Sequence, residues 1–302
     1  HTRSYSVTGV QTCARPISQG SIVEVNSTFS ELTGYAREEA IGHSADLLKS
    51  GHHAPEFYLE MWKTIREEGF WRGEVWNRKK NGEIFVELLT ISTVRDRQGE
   101  ISHFVGIFSD ITLLKEHQQR LEHLAHFDPL TQLPNRMLLA DRMQLAMAQT
   151  ERSGKILGVC YLDLDGFKPV NDLYGHATGD RLLIEVAQRL KSCVRGGDTV
   201  SRLGGDEFVM LLSGLESVHE CDLAVGRVIQ LLTQPFQIGG HSIAISASIG
   251  VTLFPHDGAD ADALMRHADQ AMYEAKQGGR NRHHLFDPEN DRRARQRREE
   301  VN

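Results

Sequence analysis

The amino-acid sequence predicts an α+β protein with two domains: an antiparallel sheet with helices, then an α/β domain whose central sheet is covered by helices. The chain has 302 residues, which is enough for two ordinary domains. Its first part carries three successive β-type segments joined by hairpin signals, whereas its second part alternates strand and helix patterns. A content of 40% hydrophobic residues is typical of globular proteins.

The composition argues against several classes of protein. A net charge of −7 is unsuited to wrapping nucleic acid, which requires clustered lysine and arginine. No apolar run approaches the roughly 20 residues of a membrane span, and no signal peptide is recognisable. The cysteines show neither CxxC pairing nor zinc spacing; they are Cys13, Cys160, Cys193 and Cys221. We therefore expect a cytoplasmic chain with reduced thiols, no nucleic-acid partner and no membrane span.

The first domain is predicted over residues 19–112. The run SIVEVN predicts a short strand, and Asn26 can cap the helix that begins at STFSELTGY. After a helix over PEFYLEMWKTIREEG come three strands, FWRGEVWNRK, EIFVELLTISTVRD and EISHFVGIFSDIT, with hairpin signals at KNG and DRQG. Residues 1–18 show no strand or helix pattern that joins this domain. We interpret them as a non-native remnant outside the fold.

A helical connector is predicted over residues 113–127, in LLKEHQQRLEHLAHFD. Leu114, Leu121 and Leu124 fall on a and d positions of a heptad, with His117 at the intervening d position. The pattern fits a short coiled coil, and it also fits an amphipathic connector.

The second domain is predicted over residues 128–287. ILGVCYLDLD predicts a buried strand, GDRLLIEVAQRLKSCV a helix, and TVSRL with EFVMLLS a hairpin around Gly204 and Gly205. A helix over ECDLAVGRVIQLLTQ, one strand over HSIAISASIGVTLFP and a helix over DALMRHADQAMYEAKQGG complete the domain. Residues 288–302 predict a helical tail or linker.

Acidic residues occur where two of these strands begin or end. Asp163 ends an apolar strand, and burying its carboxylate there requires a cation or hydrogen-bond donors. Asp206 and Glu207 open the strand that follows Gly204 and Gly205. If the two strands are neighbours, Asp163 and Asp206 converge on one edge, where hard oxygen ligands suit Mg²⁺ with phosphates. The alternative is a tight turn with a solvated tip.

The first domain resembles a PAS sensor domain, on the residues IVEVNSTFSELTGYAREEAIG and GEISHFVGIFSDIT. The resemblance implies a pocket that holds haem, flavin, a small metabolite or nothing. No cysteine lies between Cys13 and Cys160, which excludes a flavin–cysteine photoadduct within this domain. We interpret the histidines as surface or packing residues and leave the PAS ligand unknown; they are His43, His52, His53 and His103.

The second domain resembles the GGDEF domain of diguanylate cyclases, which has a nucleotide-cyclase-like fold. The resemblance rests on YLDLDGFKPVNDLYGHATGDRLL and RLGGDEF, with DPLTQLPNR and ADQAMYEAKQGGRNR at the two ends. It implies a PAS–GGDEF protein, and the tail resembles a linker that leads into an EAL phosphodiesterase domain.

Carried over by position, the resemblance implies a role for each motif residue. Mg²⁺ (or Mn²⁺) would be held by Asp163, the carbonyl of Leu164 and Asp206. The catalytic group would comprise Asp206 as metal ligand and candidate base, Glu207 in an assisting role, and Lys168 stabilising charge as pyrophosphate leaves. Asn171 and Asp180 would bind guanine. The triphosphate would be held by the backbone around Phe167 and Lys168, with Lys276 and Arg280.

The implied reaction condenses two GTP molecules into cyclic di-GMP and two pyrophosphates. Two GTP molecules must face each other, so a C2 homodimer is expected, and it would give the leucine-bearing connector a purpose. Arg195 and Asp198, in RGGD, match the spacing of the family's RxxD product-inhibition site.

Each of these residues also has an ordinary interpretation: a solvated face for Lys276 and Arg280, a turn for Asn171 and RGGD, and a helix N-cap for Asp180. Three rival functions follow. They are a catalytically silent module that binds GTP or cyclic di-GMP and regulates a partner or downstream EAL domain, a purely structural sensor and dimeriser, and a cyclase with relaxed base choice. Asp180 disfavours the last.

Overall fold

The computed structural model describes residues 16–18, 21–258 and 260–287, which divide into two compact units between Leu121 and Glu122. The predictions for residues 1–15 and for the tail 288–302 lie outside the described residues. The prediction for residues 1–18 is wrong at its end, because Pro16–Ser18 forms a strand that pairs with two others. Three residues are too few to show strand periodicity, and only the tertiary pairing reveals them.

The first unit contains a five-stranded antiparallel sheet in the order β2-β1-β5-β4-β3. Its strands are β1 (Pro16–Ser18), β2 (Ser21–Ile22), β3 (Phe70–Arg78), β4 (Ile84–Arg95) and β5 (Ile101–Asp110). Its helices are α1 (Ser27–Thr33), α2 (Arg37–Ala40) and α3 (Pro55–Glu68), with one 3₁₀ turn at Ala45–Leu48. The antiparallel sheet with helices is therefore confirmed.

Local sequence accounts for most of these elements. The Asn26 side chain accepts a hydrogen bond from the amide of Phe29 at 2.9 Å, which caps α1 as predicted. The two hairpins are confirmed as well, because β4 pairs antiparallel with both β3 and β5. The core between sheet and helices contains the fully buried rings of Phe29, Phe85 and Phe108.

Helix α4 (Thr112–His126) carries the boundary between the two units. Its leucines at the predicted heptad positions are 49% to 66% exposed; they are Leu114, Leu121 and Leu124. An apolar row with this much exposure is available to a partner helix.

The second unit contains a five-stranded sheet in the order β12-β11-β6-β8-β7 and a separate β9-β10 hairpin. The strands are β6 (Ile156–Asp165), β7 (Thr199–Gly204), β8 (Glu207–Leu215), β9 (Phe236–Ile238), β10 (His241–Ile243), β11 (Ser246–Phe254) and β12 (Arg282–Leu285). The helices are α5 (Arg136–Ser153), α6 (Phe167–Tyr174), α7 (His176–Cys193), α8 (Val218–Leu232) and α9 (Ala261–Gln277).

The sheet is covered on both faces. Along β6, alternate side chains point to opposite faces, so Leu162 packs with α7 and α8, whereas Tyr161 packs with α5 and α9. This arrangement confirms the predicted central sheet covered by helices. None of the described helices is long and apolar enough to cross a membrane.

One predicted strand is wrong, and several elements were not predicted. HSIAISASIGVTLFP is two strands, because β10 turns back to pair with β9 while β11 continues beside β6. The three residues of β10 are too few for periodicity to separate them from β11. In this unit the elements that were not predicted are α5, α6, β9 and β12, and in the first unit they are β1, α2 and the 3₁₀ turn.

Candidate active site

The acidic residues of the second unit meet where β6 ends and β8 begins. These strands are antiparallel neighbours, with Asp163 directly opposite Glu207. The amide of Leu164 donates to the carbonyl of Asp206 at 3.3 Å, so Asp206 is held against the end of β6. The expectation that the two strands are neighbours is confirmed.

The turn before Asp206 depends on its glycines. Gly204 has a φ of 148° and Gly205 a φ of 52°, values that residues with a side chain rarely adopt. A Cβ added at either position would meet no atom within 4 Å. The backbone on this side is therefore open to a ligand, and its conformation requires glycine at both positions.

Asp163 lies in an electrostatic environment that calls for a cation. Burial raises the pKa of its carboxyl, and the charge of Asp206 raises it further, while the hydrogen bond from Lys276 acts in the opposite direction. The Lys276 ammonium lies 2.8 Å from Asp163 Oδ2. The net pKa shift is upward, so one lysine does not fully offset the cost of ionising this carboxyl.

The donor set fits Mg²⁺ or Mn²⁺, although it does not complete a site by itself. The donors are the carboxylates of Asp163 and Asp206 and the backbone carbonyl of Leu164. They are hard oxygen ligands, which these ions prefer, usually together with water and substrate phosphates. Among residues 16–18, 21–258 and 260–287, no three His, Cys, Asp or Glu side chains form a cluster that would hold a metal. An ion bound here would therefore need further oxygen atoms from a ligand.

A second basic residue lies beside the same strand end. Arg280 follows α9, and its Nε lies 3.9 Å from Asp165 Oδ1. The Arg280 side chain is 67% exposed, so it is accessible to a ligand. Lys276 and Arg280 are thus brought together with the two aspartates of β6.

Asn171 and Asp180 lie on the helix pair α6 and α7, which follows β6. The Asn171 side-chain oxygen is buried, and no hydrogen-bond donor among the described residues reaches it. Gly179 lies directly against this amide, and a Cβ there would collide with it. Buried polar atoms are nearly always hydrogen-bonded, so this oxygen is suited to accept a hydrogen bond from a ligand.

Asp180 is exposed on α7 and is not a helix cap. The helix begins at His176 with Gly175 as its N-cap, so Asp180 lies in the second turn. Its interpretation as an N-cap is therefore wrong, and its carboxylate is available to solvent or to a ligand.

Helix α6 begins at Phe167, after Gly166. The first amides of a helix have no acceptor within it, so those of Phe167 and Lys168 are available to an anion. The Lys168 side chain is exposed beside them.

Arg195 and Asp198 form a separate feature, at the other end of β7 from Gly204. Six strand residues separate the two ends, a distance of about 20 Å. The Asp198 carboxylate accepts from the amides of Arg195 and Ser213, both at 2.9 Å, so RGGD is an ordered turn. Arg195 is exposed and contacts Glu220 at 3.1 Å.

Two residues that support this site, Arg202 and Tyr161, were not predicted from the sequence. Arg202 is 9% exposed; it contacts Asp128 Oδ1 at 2.9 Å and donates two hydrogen bonds to the carbonyl of Gly205, at 3.1 and 2.7 Å. Burial raises the pKa of Tyr161, and a hydrogen bond with Glu207 raises it further. A charged residue inside a buried strand was the available signal for Arg202.

The PAS-like unit encloses a cavity of about 60 Å³, whose polar lining includes Tyr58, Asn77 and Glu87. This volume corresponds to about two water molecules.

Comparisons with known proteins agree with this architecture. The sequence model for a PAS domain matches residues 16–113, and the model described as "Diguanylate cyclase, GGDEF domain" matches residues 125–282, just over half of the chain. The bifunctional diguanylate cyclase/cyclic di-GMP phosphodiesterase MucR of Pseudomonas aeruginosa is 49% identical over 176 residues, 58% of this chain and 26% of MucR. The cyclic di-GMP phosphodiesterase PdeR of Escherichia coli is 35% identical over 278 residues, 91% of this chain and 42% of PdeR.

One similar solved structure contains the coiled coil and GGDEF domain of DgcB from Caulobacter crescentus in complex with c-di-GMP. Its match to this chain has a TM-score of 0.52 and 28% sequence identity. The match covers 58% of this chain and 93% of DgcB. The chain spans less than half the length of the two curated relatives, MucR and PdeR. With its sheet, its glycine turn and its family match, the chain belongs to the GGDEF family of diguanylate cyclase domains, and its GGDEF domain follows a PAS domain.

Proposed function

We propose that the protein is a diguanylate cyclase that condenses two GTP molecules into cyclic di-GMP and releases two pyrophosphates, with Mg²⁺ or Mn²⁺ as the cofactor. The observation that carries this proposal is the position of Asp163 at the end of β6, beside Lys276 and close enough to Asp206 for that charge to raise the pKa of Asp163. Paired carboxylates next to a lysine suit a metal-bound triphosphate better than a structural turn, which would need none of these groups.

The metal ligands in this proposal are Asp163, the carbonyl of Leu164 and Asp206. A bound ion would screen phosphate charge and ease deprotonation of the attacking 3′-hydroxyl. Asp206 lies at the open glycine turn, where it would accept that proton, and the hydrogen bond from Tyr161 would hold Glu207 beside it. Lys276 would leave Asp163 and bind phosphate oxygen when metal and nucleotide arrive.

Guanine recognition is assigned to Asn171 and Asp180. Guanine offers a ring N–H and an exocyclic amine on one edge, and a carboxylate accepts from both, whereas adenine does not present the two donors together. The unpaired oxygen of Asn171 supports this assignment, because it needs a donor that the described protein atoms do not supply.

The triphosphate would be held by the first amides of α6, at Phe167 and Lys168, and by three cations. Lys276 and Arg280 approach from the end of α9, and Lys168 would stabilise the charge that develops on the leaving pyrophosphate. The exposed position of Lys168 and the 67% exposure of Arg280 leave both groups accessible.

The active form in this proposal is a homodimer, because each domain binds one GTP and the two must face each other. The exposed leucine row of α4 is the surface proposed for pairing. Through this helix the PAS domain would change the alignment of the two GGDEF domains. The described cysteines are free thiols, in keeping with the reducing cytoplasm in which GTP is available.

Product inhibition is proposed at Arg195 and Asp198. The ordered turn supports it, since the Asp198 carboxylate is fixed by two amides and each oxygen keeps a second lone pair for guanine donors. Arg195 would exchange its exposed contact with Glu220 for product phosphate or guanine.

A second candidate is a silent GGDEF module that binds GTP or cyclic di-GMP and regulates a phosphodiesterase domain. It is favoured by the relative PdeR, which is named as a phosphodiesterase and is similar over 91% of this chain. The intact acidic pair and Lys168 favour the cyclase.

The deciding experiment incubates the protein with Mg²⁺ and GTP and identifies the nucleotides by mass spectrometry. We expect cyclic di-GMP from the unaltered chain and from the exposed-surface control Asp141→Asn, and none from Asp206→Ala. GTP binding without turnover in the unaltered chain would favour the silent module, and no GTP binding would reject both functions. Arg195→Ala should sustain the rate late in the time course; an unchanged progress curve would remove the inhibitory site.

A further inference from the structure

Asp165, two residues after Asp163 at the end of β6, has no role in the reaction as proposed. Its carboxylate nevertheless accepts three hydrogen bonds. The side chain of Asp165 is 6% exposed. Its Oδ1 accepts from Ser248 Oγ at 2.9 Å, and its Oδ2 accepts from Ser246 Oγ at 2.8 Å and from the amide of Asn281 at 3.1 Å. One carboxylate thus joins the end of β6, the start of β11 and the segment after α9.

The segment that Asp165 holds has a costly backbone conformation. Arg280 and Asn281 have φ values of 57° and 49°, two consecutive left-handed residues that are not glycine. Such residues persist only where surrounding contacts fix them, and they concentrate at ligand clamps. The contacts that fix this pair are the Arg280 amide with the carbonyl of Ala275, at 3.2 Å, and the Asn281 amide with Asp165.

The left-handed backbone at Arg280 and Asn281 leaves the Arg280 side chain accessible to a ligand. Its Nε lies 3.9 Å from Asp165, which is too long for a hydrogen bond, and the side chain is 67% exposed. Asp165 therefore fixes the backbone that carries Arg280 and attracts its guanidinium by charge, while the guanidinium makes no hydrogen bond to this carboxylate.

We propose that Asp165 is a positioning residue for the triphosphate: through the Asn281 amide it holds Arg280 in the strained conformation that directs the guanidinium to the β- and γ-phosphates. This inference rests on the proposed function. It concerns the phosphate end of the nucleotide alone, because Asn171 and Asp180 are carried by other elements, α6 and α7.

The test compares two nucleotides by isothermal titration calorimetry with Mg²⁺: a GTP analogue with a methylene bridge between the α- and β-phosphates, and GMP. In Asp165→Asn the negative charge is removed, so the hydrogen bond from the Asn281 amide is no longer charge-assisted. We expect the affinity for the triphosphate to fall about tenfold, as for the loss of one charge-assisted hydrogen bond, and the affinity for GMP to stay within about twofold.

Two further variants separate positioning from a general loss of structure. Asp141→Asn removes the same charge from an exposed site on α5 and should keep the preference for triphosphate over GMP. Arg280→Met should reproduce the loss, and adding Asp165→Asn to it should cause no further loss, because both changes disable one clamp.

Three outcomes would overturn the inference while leaving the proposed function intact. They are equal losses for both nucleotides, unchanged affinity for both, and full additivity with Arg280→Met. If the unaltered protein binds neither nucleotide, the proposed function itself fails and this inference fails with it.

Discussion

Replacing Arg202 with methionine should destabilise the GGDEF domain far more than a surface charge deletion does. The side chain is 9% exposed and makes three contacts, one with Asp128 at 2.9 Å and two with the carbonyl of Gly205. Methionine keeps much of the volume but leaves both acceptors without this donor. Breaking a buried ion pair costs about 3–5 kcal/mol.

The lower end of that range applies here, since Asp128 keeps two hydrogen bonds from Thr131, at 2.8 and 2.6 Å. A loss of about 3 kcal/mol lowers the melting temperature of a domain of this size by about 6–12 °C. Differential scanning calorimetry of the whole chain measures this on the transition assigned to the GGDEF domain. Lys191→Met, an exposed charge deletion on α7, is the control and should change stability by less than about 0.5 kcal/mol.

The effect should also depend on pH with a defined sign. Burial raises the pKa of Asp128, but hydrogen bonds from Thr131 and Arg202 outweigh it, so the net shift is downward. A carboxyl with a lowered pKa stabilises the fold above its unfolded value near 4, and this contribution is lost as the pH falls through the folded value. The difference in free energy of unfolding between the unaltered chain and Arg202→Met should therefore become smaller below about pH 4.

Two results would refute this reasoning. The first is a stability loss below about 1 kcal/mol at pH 7. The second is simple additivity between Arg202→Met and Asp128→Asn, because residues in direct contact should show a coupling energy.

Three further predictions concern the metal, the base and the dimer. Asp163→Asn should abolish turnover yet raise the melting temperature of the metal-free protein at pH 7. Burial raises the pKa of this carboxyl and therefore disfavours its charged form; a lowered melting temperature would contradict this explanation. Gly179→Ala should weaken GMP binding about tenfold by displacing the Asn171 amide, as titration calorimetry would show; unchanged affinity would remove Asn171 from the base site. The double variant Leu114→Glu, Leu121→Glu should convert the proposed dimer into a monomer, as its mass in light scattering would show. An unchanged mass would place the dimer contact elsewhere.

The sequence by itself determined the two domains, most of their elements and the residue types of the site. Hairpin signals at KNG and DRQG are local, and so is the Asn26 cap, because each depends on residues within a few positions. Gly204 and Gly205 predicted a turn, which is also local, because their backbone angles are costly for residues with a side chain.

Tertiary structure decided which distant groups meet. The strand Pro16–Ser18 exists because β5 pairs with it, and HSIAISASIGVTLFP divides because its halves join different partners. Asp165 contacts Asn281, 116 positions away, and Arg202 contacts Asp128, 74 positions away. Periodicity records only which face a residue occupies, whereas the partner of a buried charge depends on sheet order and helix packing.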